Sequence, residues 1–322
     1  MRMVDSNQIK GKFLGSLLGA AIGDAVGAAW EGRRMASEGE IELIARSSCS
    51  LSYTDDTHMT IGLAESLIEC QGFNGKHMAE RFLDNYSKEP WRAYGPGPPR
   101  VFGLIKGGMA WDEAAGHIYK GGSFGNGAAM RIAPVGLLFW NDHARLKEVA
   151  HLSSLITHSR ILGIEGATLQ AMAIALAIAE DPDDPLNTES FTSHLLDFAT
   201  EDVYRTKIAG FDILLGHPCD RQRVINQLGH GIEAFNPVPT AIFSFLAHPQ
   251  DFASTVTYAV SLGGDTDTIG SMAGAISGAY LGADGLPSGW LGRLENRGYI
   301  SRLADRLWQT ALLEYPNPAK PS

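Results

Sequence analysis

Cysteine is scarce in this chain: Cys49, Cys70 and Cys219 are the only three in 322 residues, and they share no disulfide or metal-ligand spacing. That argues against a disulfide-stapled scaffold and a thiolate zinc site, and an odd, sparse count fits a reducing, cytoplasmic compartment. Basic runs are missing as well. Lys and Arg total 26 against 36 Asp and Glu, a formal net charge of −10, so no basic face is available to grip a nucleic-acid backbone. An anionic ligand must then be held by helix N-termini, glycine-rich amide loops or bound metal. No Gly-rich linker or low-complexity block divides the chain, which reads as one domain over 1–322. Strand-like alternation is almost absent, so the fold is expected to be mostly or wholly α-helical. The one stretch resembling a targeting or membrane segment, Phe13 to Trp30, lacks a strongly basic lead and is interrupted by Asp24. No membrane partner is expected.

Glycine is plentiful and ordered. Positions 11, 15, 19, 23 and 27 repeat every fourth residue, with Leu14, Leu17, Leu18, Ala21, Ile22 and Val26 between them. The spacing predicts a helix over 11–29. Each interior Gly costs a helix about 1 kcal/mol relative to Ala, so five in register call for a close backbone neighbour. Gly270, Gly274, Gly278 and Gly282 repeat the stripe near the other end of the chain. Both helices are expected deep in the core, packed on one another. Asp24 and Glu31 fall at or just beyond the end of the first; a capped acid and a solvated terminal charge are their simplest readings.

Two acidic motifs carry the chemistry. Tyr53-Thr54-Asp55-Asp56-Thr57 precedes Met59, Leu63, Leu67 and Ile68 at helical spacing, and Gly263-Gly264-Asp265-Thr266-Asp267-Thr268 precedes the second glycine stripe. An Asp or Thr before a helix is an ordinary N-cap, but one cap accounts for one residue and here carboxylates come in pairs. Asp and Thr offer only oxygen ligands, which suit Mg²⁺ or Mn²⁺ rather than zinc. If the segments meet, four carboxylates balance two divalent ions, a recognised catalytic device. The second motif is no EF-hand, since Ile269 and Ile276 stand where oxygen ligands belong.

The remaining motifs are weaker. Arg33 to Ser52 reads as a loop with one short helical turn. Trp91 to Pro99 is rich in Pro and Gly and reads as a surface loop. Gly121 to Arg131 is a second loop; its glycines can offer amides to a phosphate, yet it fits neither the P-loop nor the dinucleotide fingerprint. Ser153 to Ala179 reads as one long helix with Thr157-His158-Ser159 near its start, and His158 alone is as readily a core or capping histidine. Residues 187–234 continue as amphipathic helices, and Phe235 to Thr240 reads as a turn.

Taken together, Gly23-Asp-Ala-Val-Gly27, Thr54-Asp-Asp-Thr57, Gly125-Asn-Gly-Ala-Ala-Met-Arg131, Thr157-His158 and Gly263-Gly-Asp-Thr-Asp-Thr268 resemble, in order, the motifs of the ADP-ribosylglycohydrolase family. The likeness runs from about residue 11 to 290. It is similar above all to the branch acting on serine-ADP-ribosyl and poly-ADP-ribose bonds, through Tyr94-Gly-Pro-Gly97 and Val238-Pro-Thr-Ala-Ile242. The resemblance implies an all-α orthogonal helical bundle with two Mg²⁺ or Mn²⁺ ions on Thr54, Asp55, Asp56, Asp265, Asp267 and Thr268. Glu31 aligns with a flexible acid that joins and leaves the metal shell. Gly95, Gly97, Gly122, Ser123, Phe124, Gly125, Asn126, Met130 and His158 would bind the ADP-ribosyl group, with Phe124 stacking on adenine. Phe124 stands where that branch has Tyr, and Tyr119 lies one position past its second adenine-facing aromatic.

By that resemblance the chain hydrolyses the glycosidic bond at ribose C1″ of an ADP-ribosylated protein or an ADP-ribose-containing small molecule. The expected substrates are O-linked: serine-ADP-ribose, poly-ADP-ribose or O-acetyl-ADP-ribose. The sequence leaves open which of Asp24, Asp55 and Glu31 handles the proton. The alternatives are an arginine-linked ADP-ribosyl hydrolase, an inactive ADP-ribose-binding protein and a helical structural protein whose acidic motifs are only caps. The chain is expected to act as a monomer.

Overall fold

The structure is a computed structural model that describes residues 6–33, 35–45, 47, 50–217 and 220–314. Cys49 and Cys219 lie outside the described residues, and Cys70 is a free thiol. Helices make up the ordered framework. Among the described residues the β-structure amounts to two isolated bridges, Leu51 with Leu294 and Gly125 with Glu233.

The helices Ser6–Ala28 and Thr266–Leu281 form the central pair. They run antiparallel, so that Gly15 meets Gly278, Gly19 meets Gly274, Gly23 meets Gly270 and Gly27 meets Thr266. A Cβ at Gly23 would stand 2.0 Å from the Gly270 carbonyl oxygen, and one at Gly270 would stand 2.5 Å from that of Gly23. No side chain fits, and the absence of one on each side is what allows two helix backbones to touch. Contact this close adds Cα–H···O interactions and dense dispersion that offset the helix cost of glycine. Ser16 Oγ donates to Ala275 O at 2.9 Å and Thr266 Oγ1 to Gly27 O at 2.9 Å, so small polar side chains in the seam also find partners.

Around this pair pack the helices Asp55–Glu69, Ile161–Ala179, Pro237–Ala247 and Phe252–Ser261. Ile161–Ala179 is long and apolar enough to cross a membrane, yet 89% of its apolar window is buried within this fold. The buried Lys12 ammonium donates to Ile178 O at 2.9 Å and to the Glu180 carbonyl, closing the carboxyl end of that helix. Burial lowers this lysine to about 8.

Several boundaries differ from the sequence reading. Glu38–Ala45 is a two-turn helix, longer than the single short turn expected within Arg33 to Ser52. Pro98 and Pro99 sit in the first turn of the helix Gly97–Lys106, and Pro237 and Pro239 in that of Pro237–Ala247, because the first turn needs no N–H from its leading residues. The expected long helix from Ser153 is two: His143–Leu155 ends, Thr157 to Arg160 turn the chain, and Ile161–Ala179 begins.

Candidate active site and metal centre

Asp24 lies within the first helix, one turn before its end, and is wholly buried. Its carboxylate accepts from Thr54 N at 3.0 and 3.1 Å, Thr54 Oγ1 at 2.9 Å, Thr57 N at 3.0 Å and Thr57 Oγ1 at 2.6 Å. Thr54 is also the N-cap of Asp55–Glu69, its hydroxyl accepting from Asp56 N. The Thr-Asp-Asp-Thr pattern thus divides its work. The outer threonines tie the helix start to Asp24, which leaves Asp55 and Asp56 to face the cleft.

The opposite wall is the start of Thr266–Leu281. Gly263 and Gly264 adopt φ of +73° and +77°, and a Cβ at Gly264 would meet the His230 carbonyl oxygen at 2.0 Å. This left-handed turn, open to glycine alone, delivers Asp265 and Asp267 to the cleft. Asp267 Oδ1 accepts from Thr268 N at 2.8 Å, and Asn126 Nδ2 donates to Asp265. Thr268 Oγ1 reaches Asp56 Oδ2 at 3.4 Å, across 212 residues of sequence, so the two acidic motifs do meet.

Glu31, Asp265 and Asp267 each present a carboxylate oxygen within 4.8 Å of the others. Every acid of the cluster is pushed above the ordinary carboxylate range. Burial comes first for Asp55 and Asp56, which are raised well above it, with Asp24 and Asp267 adding repulsion. Burial likewise leads for Asp265 and for Asp267, the latter raised to about 7. Glu31, on the open side, is raised first by the Asp267 charge and then by burial. Among the described residues no Lys or Arg forms an ion pair with these acids, and Asp56 Oδ1 is buried with no hydrogen-bond partner. An orphaned carboxylate oxygen facing an all-oxygen acid cluster is what a hard divalent ion requires. The residues fit the metal that the motifs imply.

From this acid end a cleft of about 270 Å³ runs between Ala93–Pro98 on one side and Ser123–Gly127 with Thr157 and His158 on the other. His158 Nδ1 lies 2.8 Å from Thr157 Oγ1, and its ring packs so close to Gly127 that a Cβ there would meet Cε1 at 2.7 Å. Burial and the Arg131 charge lower His158 to about 3, so it stands in the wall as a neutral imidazole. Arg131 is fully buried beneath, its guanidinium 4.7 Å from the Phe82 ring centre and donating to Ser153 O at 3.1 Å.

Of the residues named from sequence, Glu31, Asp55, Asp56, Asp265, Asp267, Thr268, Gly95, Gly97, Ser123, Gly125, Asn126, Met130 and His158 line this cleft together. Four do not. Asp24 and Thr54 lie behind the acids and spend their oxygens on each other, which does not fit a proton-handling role for Asp24. Gly122, at φ +82°, is buried where a Cβ would strike Ser159 Oγ at 2.3 Å. Phe124 turns away, with its ring centre 5.0 Å from the Arg160 guanidinium and 6.2 Å from the Phe235 ring. The aromatic in the cleft is Tyr119, 39% exposed, whose hydroxyl would lie 3.3 Å from a Cβ on Gly97. Sequence reasoning also missed Ile232, from a loop that joins the wall through Asn126 N donating to Ile232 O at 3.0 Å; nothing local in its sequence signals this.

The family model for ADP-ribosylglycohydrolase matches residues 5–317. The chain is 38% identical over 283 residues to "ADP-ribosylhydrolase ARH3" of Gallus gallus, covering 79% of this chain and 76% of that protein. It is 37% identical over 269 residues to the protein of that name from Homo sapiens, covering 75% and 74%. A solved structure, "ADP-ribosylglycohydrolase-related protein complex", superposes with a TM-score of 0.75 at 26% identity, covering 95% of this chain and 99% of that one. With the five motifs in order and the two acidic helix starts brought face to face, the chain belongs to the ADP-ribosylglycohydrolase family.

Proposed function

We propose that this protein hydrolyses the glycosidic bond at ribose C1″ of O-linked ADP-ribosyl substrates, serine-ADP-ribose foremost, and releases ADP-ribose. The observation that carries the reading is the meeting of Asp55-Asp56 with Asp265-Asp267 around the unpartnered Asp56 Oδ1. Asp55, Asp56, Asp265, Asp267 and Thr268 would hold two Mg²⁺ or Mn²⁺ ions, which when bound supply charge neutralisation and a grip on the ribose diol and a water.

The chain's own residues divide the remaining tasks. Asp24 fixes the start of Asp55–Glu69 through Thr54 and Thr57, a positioning role that preorganises Asp55 and Asp56. Glu31 is the most exposed acid of the cluster, and its raised pKa suits proton exchange between water and the departing oxygen. An alkoxide leaving group needs that proton more than a guanidine does. The backbone of Ser123–Gly127 and the neutral His158 face the length of the cleft and receive the diphosphate without a formal positive charge. Tyr119, opposite Gly97, offers the adenine a ring.

The relatives named ADP-ribosylhydrolase ARH3 support the hydrolytic reading. The linkage is decided by giving the protein, with Mg²⁺, serine-linked and arginine-linked ADP-ribosyl peptides side by side and measuring free ADP-ribose. A higher kcat/KM on the serine peptide is expected. A higher value on the arginine peptide overturns the branch, and ADP-ribose binding with no release from either marks an inactive binding protein.

A further inference from the structure

The loop before Gly97 is both strained and clamped. Ala93 lines the cleft with φ +59°, a left-handed conformation uncommon for a residue with a Cβ. Its neighbour Arg92 holds it there. Arg92 Nε donates to Glu89 Oε2 at 2.6 Å, Nη1 donates to Tyr53 O at 3.0 Å and to Glu295, and the guanidinium lies 4.2 Å from the Tyr53 ring centre. Glu295 in turn accepts from Tyr53 N at 2.8 Å. Arg92 is thereby fixed to the residue that leads directly into Thr54 and Asp55, at the acid end of the cleft.

One residue further out stands Trp91, 71% exposed. Two peptide units separate it from Ala93, so the two Cα atoms are within about 7.6 Å. A large indole next to the Arg92 clamp has only two side-chain torsions to fix on binding, which limits the entropic cost to a ligand. Met35, 39% exposed, lies against the Gly263 turn, its Cγ 3.1 Å from the place of a Cβ there. Trp91 thus adjoins Arg92, which is hydrogen-bonded to Tyr53 at the approach to Asp55, and Met35 packs at the turn that precedes Asp265, so an exposed apolar side chain lies near the approach to each acidic helix start.

We propose that Trp91, seconded by Met35, is a specificity-determining contact for the acceptor polypeptide, the chain that carries the ADP-ribosyl group and leaves when the bond breaks. This rests on the reading above. If the ribose sits at the acid end, the acceptor must emerge there, near these two side chains, while the nucleotide lies the other way along the cleft. Polypeptide suits the site because a flat indole and a thioether offer apolar area without fixed hydrogen-bonding demands. A small acceptor ends before it reaches them.

The test compares two substrates: an ADP-ribosylated serine peptide of about ten residues, and ADP-ribose with a small alkyl group on the 1″ oxygen. Trp91→Ala is expected to raise KM for the peptide about five- to tenfold, the scale of losing an aromatic contact of somewhat over 1 kcal/mol. The peptide kcat and both constants for the small substrate should hold, and Trp91→Phe should recover most of the loss. An unchanged peptide KM, or equal losses on the two substrates, overturns the assignment. Turnover of the small substrate by the unaltered protein shows separately that the underlying hydrolytic reading stands; turnover of neither substrate removes both.

Discussion

Thr57 Oγ1 donates to Asp24 Oδ2 at 2.6 Å, and through that bond the end of one core helix fixes the start of another. Asp24 belongs to the glycine-striped helix, whereas Thr57 belongs to the helix whose first residues face the cleft. The acids are therefore placed by contacts behind them, in a part of the protein the substrate does not reach. Thr57→Val keeps the shape and removes the donor. It should cost roughly 1–3 kcal/mol in urea unfolding, as for a buried bond to a carboxylate, and weaken Mg²⁺ binding measured by calorimetry. Unaltered unfolding and Mg²⁺ affinity would show that Asp24 does not act through Thr57.

The acid cluster sets a pH dependence whose sign can be worked out. Asp24 and Asp267 are each raised to about 7, both first by burial, against an unfolded carboxylate near about 3.9. Between those values the folded state binds more protons than the unfolded, so stability falls as pH rises. Chelated protein should lose thermal stability from about pH 4 to about pH 7, and Mg²⁺ should restore it at the upper end, by about 2.7 kcal/mol at a hundred times its Kd. Asp267→Asn should flatten the chelated profile, because it removes one charge from the crowd. A chelated protein as stable at pH 7 as at pH 5 would contradict the repulsion.

The glycine seam makes a paired prediction. Gly11 has nothing within 4 Å of a Cβ, so Gly11→Ala should stabilise the first helix by about 0.5–1 kcal/mol. At Gly23 the same change meets the Gly270 backbone at 2.0 Å and must part the two helices. Gly23→Ala should lower the thermal midpoint sharply or prevent folding. Equal effects at the two positions would mean the seam is looser than these distances.

Much of this was legible in the sequence because its signals are local. A four-residue glycine period states that a backbone must come close, and paired Asp among Thr exceeds what a helix cap needs. The helix boundaries at Pro98 and Pro237 were not legible, since proline breaks a helix interior and begins a helix equally well. Nor was the break at Thr157 to Arg160, which contains no glycine or proline and exists because His158 must turn in against Gly127. The division of labour within Thr54 to Thr57 depends on Asp24, 30 residues earlier, and only the folded chain reveals it.

Phe124 and Tyr119 separate motif likeness from geometry. Phe124 is the residue that the motif resemblance would stack on adenine, but its ring lies against Arg160 and Phe235, whereas Tyr119 faces the cleft. Tyr119→Ala should weaken ADP-ribose binding several-fold, in keeping with about 1 kcal/mol for an aromatic stack. Phe124→Ala should weaken it less. Calorimetry with ADP-ribose decides, and the reverse order would return the adenine to Phe124.

The central claim is that the two acidic helix starts hold divalent ions without which the bond at C1″ is not cleaved. It is tested most directly by ADP-ribose release from a serine-linked peptide by exhaustively chelated protein, before and after Mg²⁺ or Mn²⁺ is added back. The predicted result is no release from chelated protein, full recovery on adding metal, and a loss of several orders of magnitude in Asp267→Asn that metal does not restore. Undiminished release after chelation, or full activity in Asp267→Asn, would contradict it.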